Sequence, residues 1–358
     1  MGLLIMHSKR IQWLDFAKGV TILLVVLSHS TLIAKRICGN SNGLLLINYV
    51  VSTVIMPLFF AISGFLYRPV RSGKDYLILL YKKVTSFVIP YSLFTILYVW
   101  LFDDLGGYHS IYNFAGIKTN LTFTGALLKS ASYLWFLYAL FFIFLLVGLL
   151  DLLKISLKYQ LILALIAVLG ESIELPPFTN YGYNPLAGIL GYWLFFMIGF
   201  VIRKYHWNPD DLHWLMIVAL WLILMIVQVR WTSVHYFTDG IQLPDLLTKL
   251  LSVGIGFPFF IRAKHGHIFD YFDRYGKMTL VIYLVHYLWL MLMLKVALML
   301  HLNDYHVNNL IGVIVICAMA WYLSVVTCKL IKRYRWMKFW LYPRKYVDEW
   351  ICDFEGKC

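Results

Sequence analysis

The sequence predicts an all-α, polytopic membrane protein with about ten transmembrane helices and with both termini in the cytoplasm. Composition is the first reason, because 61% of the 358 residues are hydrophobic and only 14% are charged, whereas about a quarter of residues in soluble domains are charged. The apolar residues extend along the whole chain, and no Gly/Ser-rich or charge-rich block separates a soluble domain. We therefore expect one membrane-embedded domain over residues 1–330, followed by a basic cytoplasmic tail over residues 331–358.

Repeated apolar runs are the second reason. Most of them approach the roughly 20 residues that a helix needs to cross the hydrocarbon core of a bilayer. The third run is interrupted near its start by Lys82 and Lys83, and the fifth is short. The predicted spans cover residues 11–33, 44–66, 78–102, 132–150, 156–171, 186–202, 212–229, 243–261, 278–300 and 308–330.

The distribution of Lys and Arg predicts the orientation. If the N-terminus is cytoplasmic, 23 basic residues fall on the cytoplasmic side of these spans and five on the opposite side. Such a bias is typical of cytoplasmic loops. The net charge of +13 then follows from topology and from contact with anionic membrane lipid. We expect no nucleic-acid partner, because the basic residues are not gathered on one soluble surface.

The N-terminal apolar run is predicted to be a retained helix rather than a signal peptide. Asp15 and Lys18 interrupt the run, no convincing small-x-small cleavage site follows it, and many further spans come after. The five cysteines are scattered and show neither a CxxC pair nor a Cys/His spacing typical of zinc. No metal site is therefore predicted.

Three ionisable residues lie on one face of the first predicted helix. Lys18 and His29 are eleven residues apart, which at about 100° per residue leaves an angular offset of only about 20°. Asp15 falls near the same face, three residues before Lys18. Charged groups in lipid are costly and usually face a protein interior or a hydrated cavity, where they mark functional sites. We therefore expect Lys18 and His29 to face a shared hydrated passage.

Basic residues cluster between the second and third spans. Arg68 and Arg71 follow the second span, and Lys82 and Lys83 open the third, ahead of a kink expected at Pro90. Ordinary anchoring at the cytoplasmic surface would explain these residues. Binding of an anionic ligand such as a nucleotide phosphate is the alternative explanation.

Other residues of interest have both a structural and a functional interpretation. His286 is a second intramembrane histidine and serves either in packing or at a site. The small residues Ser63 and Gly64 allow another helix or a ligand to approach the backbone closely. Trp135 lies in an aromatic run that would suit a membrane interface. The connection from residue 102 to 131 is either a lid or acceptor surface, or a passive loop.

Six motifs occur in an order that resembles one family. They are WLDFAKG followed by a histidine, FFAISGFLYRP, KK with IPY, LWFLYALFF, GYWLFFMIGFVIRK and GKMTLVIYLVHY. The chain resembles the acyltransferase-three family of integral membrane acyltransferases, particularly its fucose-acetylase-like branch of bacterial glycan O-acetyltransferases. The resemblance extends over residues 10–330.

The resemblance implies roles for individual residues. The family carries an (Arg/Lys)-x10-His signature, met here by Lys18 and His29, and its histidine is essential for acyl transfer. Basic residues near the second and third helices are linked to the acyl donor, and this chain offers Arg68, Arg71, Lys82 and Lys83. The family often has an arginine just ahead of the IPY proline, where this chain has Ser86 and Phe87.

These observations lead to a functional hypothesis. The protein would be a multi-pass enzyme of the bacterial cytoplasmic membrane that moves an acetyl group from cytoplasmic acetyl-CoA to a hydroxyl of an envelope glycan or lipid-linked sugar. Acetyl-CoA would be a substrate, and no bound cofactor is expected. His29 would act as a base or would carry the acetyl group itself. Lys18 would contact the donor. The supporting residues would be Asp15, Ser63, Trp135, Tyr283 and His286, and Asp15 would pair with Lys18.

One alternative of a different class stays open. A transporter or exporter of a glycan or small molecule would also have many spans, intramembrane charges and broken helices. Donor hydrolysis by the purified protein would separate the two functions. A homo-oligomer is compatible with either.

Overall fold

The computed structural model describes residues 11–39, 41–103, 132–172, 185–231, 243–301 and 308–334, and every regular element in these ranges is helical, as predicted. The helices are α1 Gln12–Cys38, α2 Asn42–Phe65, α3 Gly73–Lys83, α4 Ile89–Asp103, α5 Trp135–Leu152, α6 Leu157–Ser172, α7 Pro185–Tyr205, α8 Asp211–Trp231, α9 Leu243–Arg262, α10 His267–Gly276, α11 Thr279–Met299 and α12 Asn309–Arg333. Most of the connection over residues 102–131, expected to be a lid, an acceptor surface or a passive loop, lies outside the described residues, as does most of the predicted tail.

Eight segments of the described chain are long and apolar enough to cross a membrane, and a ninth is obtained if α9 and α10, bent by 115°, form one span. Each of the ten predicted spans overlaps a helix. The count differs because α6 has only 16 residues, which rise about 24 Å, and because α9, with three charged residues among its 20, qualifies as a span only together with α10. These helices make the chain a multi-pass membrane protein, and its orientation stays a prediction.

The third span contains an irregular turn. A π-helical turn, Val84–Val88, joins α3 to α4, and the backbone N–H of Ile89 donates to the carbonyl of Val84. Pro90 follows directly and contributes no backbone donor. This turn lies several residues before Pro90, and the kink expected at the proline itself stays a prediction.

α2 and α7 approach one another closely. A Cβ atom at Gly64 would overlap the backbone carbonyl of Phe196, and one at Gly199 would overlap the carbonyl of Ala61. Glycine on both sides lets the two backbones touch. The small pair at Ser63 therefore serves helix packing, and the hydroxyl of Ser63 donates to the carbonyl of Phe59 in its own helix, at 2.8 Å.

α1 is central, with α2, α10, α11 and α12 packed around it. A Cβ atom at Gly276 would overlap the carbonyl of Asp15 and would lie 3.0 Å from the nitrogen of Gly19. This contact fixes α11, which begins three residues later, beside α1. It sets the relative height of the two helices that carry the intramembrane histidines.

Candidate active site

The two intramembrane histidines are in direct contact. Nδ1 of His29 lies 2.8 Å from Nε2 of His286, and the rings stack with centroids 5.1 Å apart. His286 is fully buried, whereas His29 is only partly buried. His29 is thus the member of the pair with an accessible surface, and His286 lies behind it.

The hydrogen bonds around His286 determine which nitrogen of His29 carries a proton. Nδ1 of His286 lies 3.0 Å from the carbonyl oxygen of Ile282. A carbonyl only accepts, so Nδ1 of His286 is the donor, and in the neutral ring Nε2 is then an acceptor. Nδ1 of His29 must donate to it. Nε2 of a neutral His29 therefore keeps its lone pair, which is the form that a base or nucleophile needs.

Tyrosines surround the histidine pair. The ring of Tyr133 lies edge-on to His286, with centroids 5.8 Å apart, and its hydroxyl donates to the carbonyl of Leu284 at 2.9 Å. Tyr283 donates in return to the carbonyl of Tyr133. Tyr287 lies edge-on to His29 at 5.2 Å and stacks on Tyr133 at 4.6 Å. These contacts join the start of α5 to α11 and restrain both imidazoles.

A second region gathers the predicted donor residues. A cavity of about 550 Å³ is lined by Arg68, Arg71, Lys82 and Lys83, the four basic residues of this region that the resemblance links to the acyl donor. Nζ of Lys83 lies 3.3 Å from the ring centroid of Phe144, which also lines the cavity. Asp75 also lines the cavity, so four cations and one carboxylate leave a net positive charge that favours an anion with several charges.

α5 connects the two regions. Phe144 of α5 lines the basic cavity. Tyr133, which contacts His286, lies eleven residues before Phe144, in the short turn that precedes α5. Eleven helical residues rise about 16 Å. Between them, Phe136 packs against Tyr283 with ring centroids 5.7 Å apart. Phe144, at the basic cavity, and Tyr133, beside the histidine pair, are therefore roughly 16 Å apart along this segment.

The remaining predicted residues occupy separate positions. Nζ of Lys18 pairs with Asp15 at 3.1 Å, as the i, i+3 spacing predicted, but Lys18 is not among the residues that line the basic cavity. Trp135 packs between α2 and α7, 5.5 Å from the ring of Tyr192, so it belongs to the core. Among the described residues, no group of three His, Cys, Asp or Glu could hold a metal ion.

Sequence reasoning did not select several residues of the site. Tyr133 and Tyr287 enclose the histidines, and Asp151 contacts the segment that carries Arg68 and Arg71. Tyr287 directly follows His286 in sequence, which was an available signal. No local pattern places Tyr133 or Asp151, because their partners are more than 80 residues away.

The arrangement defines a class, a multi-pass helical membrane protein with an intramembrane histidine pair and a separate basic cavity. Residues 11–329 match the family Acyl_transf_3, described as an acyltransferase domain. The match covers most of the chain, so the protein belongs to this family of membrane acyltransferases. No curated protein and no solved structure matches the chain.

Proposed function

We propose that the protein transfers an acetyl group from cytoplasmic acetyl-CoA to a hydroxyl of an envelope glycan or lipid-linked sugar, in the bacterial cytoplasmic membrane. Within the family, this corresponds to the fucose-acetylase-like branch of glycan O-acetyltransferases that the motifs resemble. The observation that carries the proposal is the basic cavity of Arg68, Arg71, Lys82 and Lys83, whose lining residue Phe144 lies roughly 16 Å along the chain from Tyr133, beside the histidine pair.

This separation suits the shape of acetyl-CoA. The donor has a highly charged nucleotide end with three phosphate groups, and an extended pantetheine arm of comparable length carries the thioester. Arg and Lys are the side chains that recognise phosphates. With the phosphates held in the basic cavity, the thioester would reach the histidine pair inside the bundle.

The proposed reaction uses His29 as the general base. Nε2 of His29 takes the proton of the acceptor hydroxyl while the hydroxyl oxygen attacks the thioester carbonyl carbon. The carbon–sulfur bond then breaks, the CoA thiolate leaves, and the imidazolium returns the proton to sulfur. His286 accepts a hydrogen bond from Nδ1 of His29 throughout and stabilises the imidazolium, much as a carboxylate does in a catalytic triad.

The test is acetyl transfer by the purified protein. We expect the wild-type protein in lipid nanodiscs to release CoA from acetyl-CoA and to move radiolabelled acetyl to an envelope-glycan extract. His29→Ala should lower the transfer rate about a thousandfold while the protein still inserts and purifies normally. A wild-type protein that releases no CoA, with or without extract, would contradict the proposal and favour the transporter.

A further inference from the structure

The segment between α2 and α3 carries two of the cavity arginines in a regular pattern. In the sequence Tyr67-Arg68-Pro69-Val70-Arg71, the side chains of Tyr67 and Val70 are buried, whereas Arg68 and Arg71 are exposed and line the basic cavity. Each arginine directly follows a buried residue. The backbone positions of Tyr67 and Val70 therefore determine where the side chains of Arg68 and Arg71 leave the backbone.

Asp151, near the end of α5, holds both buried residues. Its Oδ2 atom accepts a hydrogen bond from the hydroxyl of Tyr67 at 2.5 Å and another from the backbone N–H of Val70 at 3.2 Å. Its Oδ1 atom accepts from Nε2 of Gln160 at 2.9 Å. Hydrogen bonds to a carboxylate are among the stronger ones in proteins, so this one side chain ties the arginine segment to α5 and α6.

Arg203, in the last turn of α7, holds the same segment by its carbonyl groups. Its Nη1 atom donates to the carbonyls of Phe65 and Tyr67, both at 3.1 Å. These carbonyls lie at the end of α2, where the last turn has no intrahelical donors and a positive charge is favourable. The carboxylate of Asp151 thus satisfies donors of the segment, and the guanidinium of Arg203 satisfies its acceptors.

The protonation of Tyr67 supports this arrangement. Burial, reinforced by the hydrogen bond to Asp151, raises the pKa of the Tyr67 hydroxyl. Tyr67 therefore remains protonated, and remains a donor to Asp151, over the whole physiological pH range. The hydrogen bond from Tyr67 to Asp151 is therefore not lost through deprotonation of the tyrosine at physiological pH.

We propose that Asp151 and Arg203 are positioning residues that hold the backbone of residues 65–70 so that Arg68 and Arg71 are preorganised for the phosphates of the acyl-CoA donor. This inference rests on the proposed function. A segment that is already ordered loses less conformational freedom when an anion binds, and the affinity is higher by that amount. Among the described residues, the hydrogen-bond partners of Asp151 are Tyr67, Val70 and Gln160, so the carboxylate acts through the segment.

The inference predicts an effect opposite in sign to simple electrostatics. Asp151 is a negative charge close to a cavity proposed to bind phosphate, so by charge alone its removal should strengthen donor binding. If Asp151 instead positions the arginines, its removal should weaken donor binding. Asp151→Asn removes the charge with little change in shape, which makes it the most informative variant.

The experiment compares two donors on the full chain in nanodiscs. Acetyl-CoA carries the nucleotide phosphates, and acetyl-pantetheine lacks them. We expect Asp151→Asn to lower kcat/KM for acetyl-CoA roughly tenfold, mainly by raising KM, because charge-assisted hydrogen bonds are lost. For acetyl-pantetheine, which lacks the phosphates, we expect kcat/KM to be unchanged. Tyr67→Phe, which keeps the ring, should show a smaller loss of the same kind. Asp210→Asn is the matched control, because it makes the same substitution at an exposed carboxylate that pairs with His213 and does not line the cavity.

The outcomes separate the inference from the proposed function. An equal loss with both donors in Asp151→Asn would show a general structural defect and would overturn the positioning role, as would an unchanged or lower KM for acetyl-CoA. Arg203→Met should follow Asp151→Asn, and Arg203→Lys should recover part of the loss. A wild-type protein that uses both donors equally well would overturn the donor site itself, and the inference with it.

Discussion

A Cβ atom at Gly276, the last residue of α10, would lie 3.0 Å from the backbone nitrogen of Gly19 in α1, and each glycine is followed ten residues later by one of the paired histidines. α11 begins three residues after this backbone contact and packs beside α1, and Nδ1 of His29 lies 2.8 Å from Nε2 of His286. The packing of α1 against the turn before α11 therefore helps to set the geometry of the histidine pair, although Gly19 lies about 15 Å along α1 from His29.

Gly276→Ala tests this relationship. The added Cβ would overlap the carbonyl of Asp15, and because that obstacle is backbone, α1 must move away from the end of α10, which leads into α11. We expect a loss of about 1–3 kcal/mol in the free energy of unfolding and a fall in kcat larger than the fall in stability explains. Thermal unfolding and acetyl-transfer rates in detergent are the measurements. Gly73→Ala is the control, since nothing lies within 4 Å of a Cβ at Gly73, and an equally impaired control would contradict the prediction.

His286 variants test the direction of the hydrogen bonds. Nε2 of His286 accepts a hydrogen bond from His29. A glutamine side chain is of similar length to histidine and would offer its carbonyl oxygen as the acceptor. We expect His286→Leu to lower kcat about a hundredfold or more, and His286→Gln to retain more activity than His286→Leu, with KM for acetyl-CoA unchanged in both. Steady-state kinetics at saturating acceptor measures this. Equal activity of the leucine and glutamine variants would rule out the proposed tautomer.

Charge in the basic cavity should control donor binding rather than chemistry. We expect Arg68→Gln and Arg71→Gln each to raise KM for acetyl-CoA severalfold, and to leave kcat nearly unchanged, because phosphate contacts are the same in ground state and transition state. Higher ionic strength should raise KM in the wild type and less so in the variants. Lys74→Gln, in the same region but not among the cavity-lining residues, is the control. A fall in kcat without a change in KM would count against the donor site.

A buried ion pair away from the site should matter for stability. The carboxylate of Asp245 accepts from Tyr49 at 2.7 Å and pairs with Lys249 at 3.7 Å, and both charged side chains are largely buried. We expect Asp245→Leu to lower the free energy of unfolding by about 3–5 kcal/mol, because Lys249 loses this partner inside the protein.

The matched control for this pair is on the surface. Asp211 pairs with Arg262 at 3.0 Å, but its side chain is 88% exposed, so Asp211→Leu should cost less than about 1 kcal/mol. Thermal or denaturant unfolding of both variants in the same detergent measures the difference. Similar losses in the two variants would show that burial does not set the energetics of the Asp245 pair.

Much of the fold could be predicted from the sequence because it depends on local composition. A helix that crosses lipid satisfies its own backbone hydrogen bonds and needs only a long enough apolar run. The ten predicted runs therefore coincide with helices. The number of spans was less certain, because a short helix such as α6 and the 115° bend between α9 and α10 depend on how neighbouring helices pack.

The charged candidates were predictable for the same reason. Lys18 and Asp15 share a helix face through simple periodicity, and their ion pair follows from it. The grouping of Arg68, Arg71, Lys82 and Lys83 around one cavity also follows from their nearness in sequence, since a short connection joins α2 to α3.

The sequence by itself determined the helices, the membrane class, the charged stripe of α1 and the basic cluster, because each of these depends on residues close together in the chain. Only the tertiary structure decided that His29 and His286, 257 residues apart, form one hydrogen-bonded pair, and that Asp151 and Arg203 hold the arginine segment. Such contacts arise where helices distant in sequence pack side by side. Their geometry depends on backbone approach at positions such as Gly276, which local periodicity does not encode.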